Sequence, residues 1–242
     1  MESLPGRTST PASIRVACVI PWRGGHEDRE RHHETVRAHL RDLLPDAWHI
    51  DSDSGHEPFS RAGSRNRGVR LAEDVGADVV VLCDADTLPE RGPLLLAIEK
   101  AQDGRLHLPY TRFRGFTQPG TVAYLKGVDP EWCEVDVETD WSVGGVLVIQ
   151  PGAWWRAGGM DERCVGYGYE DEAFKYAADT LLGPTARHTG TIWHLWHEQQ
   201  MGVGSPEHTA NGQFAARYKA AYGHPEAMRA LLAEHAQLAG RP

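Results

Sequence analysis

The strand-like segment Asp78 to Leu82 (DVVVL) carries an apolar run straight into Cys83-Asp84-Ala85-Asp86. A short run without polar alternation reads as a strand covered on both faces, the kind found in parallel sheets flanked by helices. Carboxylates directly beyond such a strand stand where open α/β sheets bind their ligands, outside the carboxyl ends of the strands.

The flanking sequence repeats the same unit. Ile14 to Ile20 is an apolar strand stopped by Pro21, and Trp22-Arg23-Gly24-Gly25 is a polar turn. Asp28 to Leu44 sets Val36, Leu40, Leu43 and Leu44 at helical spacing, and Pro45 ends it. Ala47 to Ile50 reads as a strand, Asp51 to Pro58 as turns, and Ala62 to Val75 and Leu94 to Ala101 as helices. Strand and helix alternating three times imply an α/β doubly wound sheet.

The second half is less regular. Leu106 to Tyr110, Thr121 to Lys126 and Val143 to Ile149 read as strands, the last with Gly144 and Gly145 near its start. Pro151 to Ala157 fits a short helix with proline at its first position. Gly166 to Tyr169 is a loop, Glu170 to Leu182 a helix, and Thr191 to Trp196 an aromatic, histidine-bearing stretch. Glu207 to Leu238 is helical with a break near Gly223 to Pro225. No repeat or low-complexity linker divides the chain. The expected organisation is a flexible polar tail over 1–13 and one domain over 14–242. Within that domain, a nucleotide-binding half spans about 14–110, an acceptor and metal half about 111–205, and C-terminal helices about 207–240.

Lys and Arg total 25 against 34 Asp and Glu, a formal charge of -9, which argues against nucleic-acid or anionic-membrane binding through bulk charge. No run of apolar residues is long enough to span a bilayer. The first 13 residues lack the apolar core of a signal peptide. Cys18, Cys83, Cys133 and Cys164 are scattered, which fits reduced thiols in a cytoplasmic setting.

Asp84 and Asp86 can hold a divalent cation against a diphosphate, because hard cations take oxygen ligands; a capped, solvated turn uses the same residues. His194 and His197 lie in Trp193-His194-Leu195-Trp196-His197. In a strand the two would face opposite sides, whereas a turn could bring both inward as ligands. An aromatic core edge with hydrogen-bonded histidines accounts for them equally. An imidazole beside two carboxylates favours Mn²⁺ over Ca²⁺. Glu170 and Asp171 open a helix, where they either cap it or supply a general base. Arg23, Arg61, Arg65 and Arg67 offer positive charge near phosphates. Asp51 and Asp53 offer acceptors for a base edge or ribose, or serve a turn.

Taken in order, these motifs resemble nucleotide-sugar glycosyltransferases of the GT-A fold. The likeness is to bacterial family 2 enzymes and, in the later motif, to β-1,4-galactosyltransferases. It rests on Val19 to Arg23, Phe59-Ser60-Arg61-Ala62 with Asn66 and Gly68, Asp84-Ala85-Asp86 and Gly144-Gly145-Val146. The tightest part is Gly158-Gly159-Met160-Asp161-Glu162 with Gly166-Tyr167-Gly168-Tyr169-Glu170-Asp171, and the histidine pair closes the series. The resemblance implies a GT-A fold with one Rossmann-like nucleotide-binding sheet and a mixed acceptor-side half. It implies nucleotide contacts by Pro21, Trp22, Arg23, Phe59, Arg61, Asp84 and Asp53. It implies Mn²⁺ or Mg²⁺ held by Asp84 and Asp86, with Asp86 the direct ligand, together with His197 and His194. Gly144, Gly145, Tyr167 and Glu170 fall beside the donor or acceptor sugar, and Asp171 with Glu170 at the catalytic carboxylates.

The expected reaction is inverting transfer of a hexose from a nucleotide diphosphate sugar, UDP-linked, with Asp171 as the base. The acceptor class is open among a glycan, a protein, a lipid-linked sugar and a modified nucleobase. Tyr169 stands where the galactosyltransferase loop has glycine, so acceptor fit does not carry over. The chain lacks the disulfide and anchor of secretory relatives, as expected for the cytoplasm of a bacterium or a phage-infected cell. The alternatives are a sugar nucleotidyltransferase and a non-catalytic sugar-binding module. Against the first, Trp22-Arg23-Gly24-Gly25 is short and has no lysine.

Overall fold

The computed structural model describes residues 14–25, 27–198 and 204–238. The expected tail over 1–13 lies outside them. Chain order runs β1 (Val16–Pro21), α1 (Glu27–Leu43), β2 (Trp48–Ser52), α2 (Arg61–Asp74), β3 (Val79–Cys83), β4 (Thr87–Pro89) and α3 (Arg91–Lys100). It continues with β5 (His107–Leu108), β6 (Arg112–Phe116), α4 (Gln118–Leu125), β7 (Val135–Thr139), β8 (Val146–Ile149) and α5 (Pro151–Arg156). Last come α6 (Glu170–Leu181), β9 (Ala186–Arg187), β10 (Thr191–His194), α7 (Pro206–Ala220) and α8 (Pro225–Leu238).

Two sheets form among the described residues. The larger has strand order β2-β1-β3-β8-β5-β9. β1 pairs in parallel with β2 and β3, and β8 alone runs against its neighbours. Every residue of β3 is buried, as its apolar run requires. Burial of such side chains stabilises by about 1.5–3 kcal/mol each. α1 turns Val36, Leu40 and Leu43 inward, and α2 buries Ala62, Val69 and Ala72, matching the periodicity in the sequence.

The smaller sheet has strand order β4-β10-β6-β7, and its β4 begins just beyond the carboxyl end of β3. It takes β4 from the first half of the chain, whereas β8 and β9 of the second half join the larger sheet. β4, β6 and β7 have no counterpart among the expected strands. Val135-Asp136-Val137-Glu138 does alternate with the strand period, but in a strand mostly open to solvent. Thr121 to Lys126 is helical, not extended. The β-branched Thr121 and Val122 favour a strand, but the local signals at the start of the segment decide otherwise. Thr117 Oγ1 accepts from Gly120 N at 3.0 Å, and Pro119 sits in the first turn of α4. All four cysteines are free and buried, and among the described residues no helix is long and apolar enough to cross a membrane.

Candidate active site

The turn after β3 is the hinge of the site. Asp86 leads directly into β4, and β4 pairs antiparallel with β10, setting His194 opposite Thr87. Leu195 N donates to the Asp86 carbonyl at 2.8 Å, which pins the chain beyond β10 to the same turn. β10 ends at His194, so strand alternation no longer governs His197, and both rings come to Asp86. His194 Nε2 lies 3.4 Å from Asp86 Oδ1, and His197 Nε2 lies 3.2 Å from Oδ2. Ligand atoms of all three residues fall within 4.8 Å of one another. One carboxylate and two imidazoles so close suit a borderline cation such as Mn²⁺. Burial opposes the charge on Asp86, but His194, His197 and Arg29 outweigh it and hold its carboxyl well below the usual range. Burial lowers His194, whereas its bond to Asp86 raises His197.

Asp84 stands outside that group. Its Oδ1 accepts from Arg65 Nη2 at 2.5 Å, while its backbone N donates to the Gly145 carbonyl at 2.8 Å. Arg65 is 2% exposed, and its Nη1 donates to Asp171 Oδ1 at 2.7 Å. Arg61 pairs with Glu170 at 2.7 Å. Both arginines lie one turn apart on α2, so the helix delivers two cations to three carboxylates. Burial pushes Asp171 up to about 6, with Glu170 and Asp84 adding to the rise and Arg65 opposing it. A carboxyl so placed can accept a proton near neutral pH. Gly144 borders it: a β-carbon there would lie 2.5 Å from Asp171 Oδ2, so a larger residue requires the carboxylate or the strand entry to shift. Tyr110 holds that entry by donating its hydroxyl to the Gly144 carbonyl at 2.5 Å.

One cleft of about 790 Å³ gathers most of the expected residues. Pro21, Trp22, Arg23, Phe59, Arg61, Asp84, Asp86, Tyr167, His194 and His197 all line it. Arg23 sits over the Phe59 ring at 5.4 Å, and Trp22 stacks on His33 at 4.4 Å. Asp53 is apart from the lining and is engaged by Arg23, which donates to it from Nε at 2.6 Å and Nη2 at 2.7 Å. Its acceptor capacity therefore goes first to Arg23. Gly144, Gly145, Glu170 and Asp171 stand behind the lining, joined to it through Asp84, Arg65 and Arg61.

Arg65 is expected from sequence to offer charge near phosphates, as one basic residue among four, and the structure instead binds it to Asp84 and Asp171; nothing local separates a buried bridging arginine from a surface one. Other residues of the site have no role assigned from sequence. Arg29 approaches Asp86 Oδ2 at 3.4 Å from the start of α1. Phe113 and Val137 of the smaller sheet wall the cleft. The alternation of β7 is a signal for Val137, and no such signal marks Phe113.

No known protein-family profile matches this chain, and no curated protein does. Solved structures do match. A mutant Drosophila β-1,4-galactosyltransferase 7 in complex with manganese, UDP-Gal and xylobiose aligns over 81% of this chain and 79% of its own, at 19% identity and TM-score 0.57. The catalytic domain of the same Drosophila enzyme with xylobiose covers 83% and 80%, at 18% identity and TM-score 0.50. GalNAc-T7 with UDP, GalNAc and Mn²⁺ covers 92% of this chain and 55% of its own, at 12% identity and TM-score 0.53. The chain has the GT-A fold of these glycosyltransferases. Two of the three are galactosyltransferase structures, and at 18–19% identity the likeness is one of fold.

Proposed function

We propose that this protein is a metal-dependent glycosyltransferase that moves a hexose from a UDP-linked sugar to an acceptor hydroxyl with inversion. The observation that carries the reading is the meeting of Asp86, His194 and His197 in a cleft that Asp171 adjoins through Arg65 and Asp84. Pro21, Trp22, Arg23, Phe59 and Arg61 would receive the nucleotide, and Asp53 would act on it through Arg23. Asp86, His194 and His197 would hold Mn²⁺ (or Mg²⁺), with Asp84 beside them. The ion supplies charge neutralisation for the diphosphate leaving group.

The chain's own residues do the rest. Arg65 fixes Asp171 at the mouth of the Gly144 turn, beside which the donor sugar would lie. Asp171 takes the acceptor hydroxyl proton while that oxygen forms its bond to the anomeric carbon from the face opposite the nucleotide. The bond to the diphosphate breaks, and its electron pair leaves with UDP. Tyr167 presents a half-exposed ring for sugar stacking, backed by Arg61 at 5.6 Å.

A panel of nucleotide sugars scored for UDP release, with Mn²⁺ and then with chelator, tests this. UDP release that needs the metal supports it. Pyrophosphate release would instead mark a nucleotidyltransferase, and binding without turnover a sugar-binding module. Proton NMR of the fresh product decides the anomer.

A further inference from the structure

The loop from Asp161 to Tyr169 carries the wall residue Tyr167 and leads into Glu170 and Asp171, yet it belongs to neither sheet. Its backbone turns through positive φ at Gly166, Gly168 and Tyr169. Such a path forms no regular ladder, so its polar groups need partners from elsewhere. Arg61 supplies one from the cleft side by donating to the Gly166 carbonyl at 3.2 Å.

Asn66 of α2 supplies another by donating to Glu162 Oε1 at 2.8 Å, and the loop bonds itself where Arg163 N donates to Asp161 Oδ1 at 3.0 Å. A further set comes from behind, from α7, and follows a register. Tyr218 donates its hydroxyl to Asp161 Oδ2 at 3.0 Å. Arg163 lies over the Phe214 ring at 4.7 Å. Asn211, 2% exposed, accepts from Val165 N at 3.2 Å and donates to the carbonyls of Val165 at 2.9 Å and Tyr167 at 3.3 Å. His208 stacks on Tyr167 at 6.2 Å and tilts against Tyr169 at 4.9 Å. Each step of three or four residues back along the helix meets a loop residue two further on. A helical turn rises about 5.4 Å, close to the span of two residues of a bent, extended chain. The fit is tight from both sides where the loop meets α6: a β-carbon on Gly168 would lie 3.2 Å from His208, and one on Gly212 would lie 3.3 Å from the Tyr169 ring.

We propose that Asn211 and His208 are positioning residues, through which α7 templates the acceptor-side loop and so sets where Tyr167 and Asp171 stand. The word acceptor rests on the function proposed above; the templating itself does not.

The test uses the full chain with Asn211→Ala, His208→Ala and His208→Phe. Hydrogen exchange over 163–169 should quicken about tenfold in Asn211→Ala, with β1 and β3 unchanged. With UDP-Gal and Mn²⁺ as probe, kcat for donor hydrolysis should fall about tenfold while KM stays within about twofold. His208→Phe keeps a flat ring against both tyrosines and should restore at least about half of what His208→Ala loses. Unchanged exchange at the loop overturns the proposal. So does exchange quickened equally throughout the sheet, which would mean general destabilisation, and so does a quickened loop with kcat intact. If the unsubstituted protein neither binds UDP nor hydrolyses UDP-Gal, the functional reading fails, while the exchange data still decide whether α7 templates the loop.

Discussion

Arg65 Nη1 donates to Asp171 Oδ1 at 2.7 Å while the same guanidinium holds Asp84 at 2.5 Å. A carboxylate from the end of β3 and one from the start of α6, distant in sequence, are thus fixed to one buried cation. Arg65→Gln leaves both carboxylates, and Glu170 nearby, without that charge. Removing one partner of a buried pair costs about 3–5 kcal/mol. Urea unfolding should show a loss of that order, and a loss below about 1 kcal/mol would mean the arginine is not bridging.

Asp171 gives a pH signature. Burial pushes its carboxyl up to about 6, and a base works only when ionised. Turnover should therefore rise with pH below about 6, near tenfold per unit, and level off above it. Asp171→Asn should abolish this rise and reduce turnover about 10²–10⁴-fold, with UDP affinity retained. A parallel loss of UDP affinity would contradict the base role.

Cation affinity should separate Asp86 from Asp84. Loss of a mere supporting contact to a metal ligand costs about 10–100-fold, so Asp86→Asn and His197→Ala should each weaken Mn²⁺ binding at least about a hundredfold by calorimetry. Asp84→Asn should weaken it less than about tenfold, because its carboxylate is turned to Arg65. Equal losses would place Asp84 among the direct ligands. Chelation should stop donor turnover in the unsubstituted protein.

Gly144→Ala sets a methyl where 2.5 Å separates it from Asp171 Oδ2. Either the carboxylate or the strand entry must shift. An error of about 1 Å near the chemistry can cost about 10²-fold, so donor turnover should fall by that order while UDP binding by calorimetry holds. Turnover equal to that of the unsubstituted protein would show that the Asp171 position does not govern it.

Much of the architecture was legible in the chain. The apolar runs of β1 and β3, the spacing of Val36 and Leu40, and the proline stops act locally, so they declare themselves without the fold. Asp84, Asp86, Asp171 and the two histidines were visible as residue types with a chemistry. Thr121 to Lys126, expected as a strand, is part of a helix set by the Thr117 cap and Pro119.

Tertiary structure alone decided the meetings. His194 and His197 reach Asp86 because β4 leaves Asp86 and pairs with β10, a contact spanning about a hundred residues that no local pattern encodes. Arg65 differs from Arg67 only in where α2 faces: one is buried between carboxylates, the other exposed. Hydrophobic periodicity specifies which face of an element is covered. Which charges are brought together once it is covered depends on packing between elements, and that exists only in the folded chain.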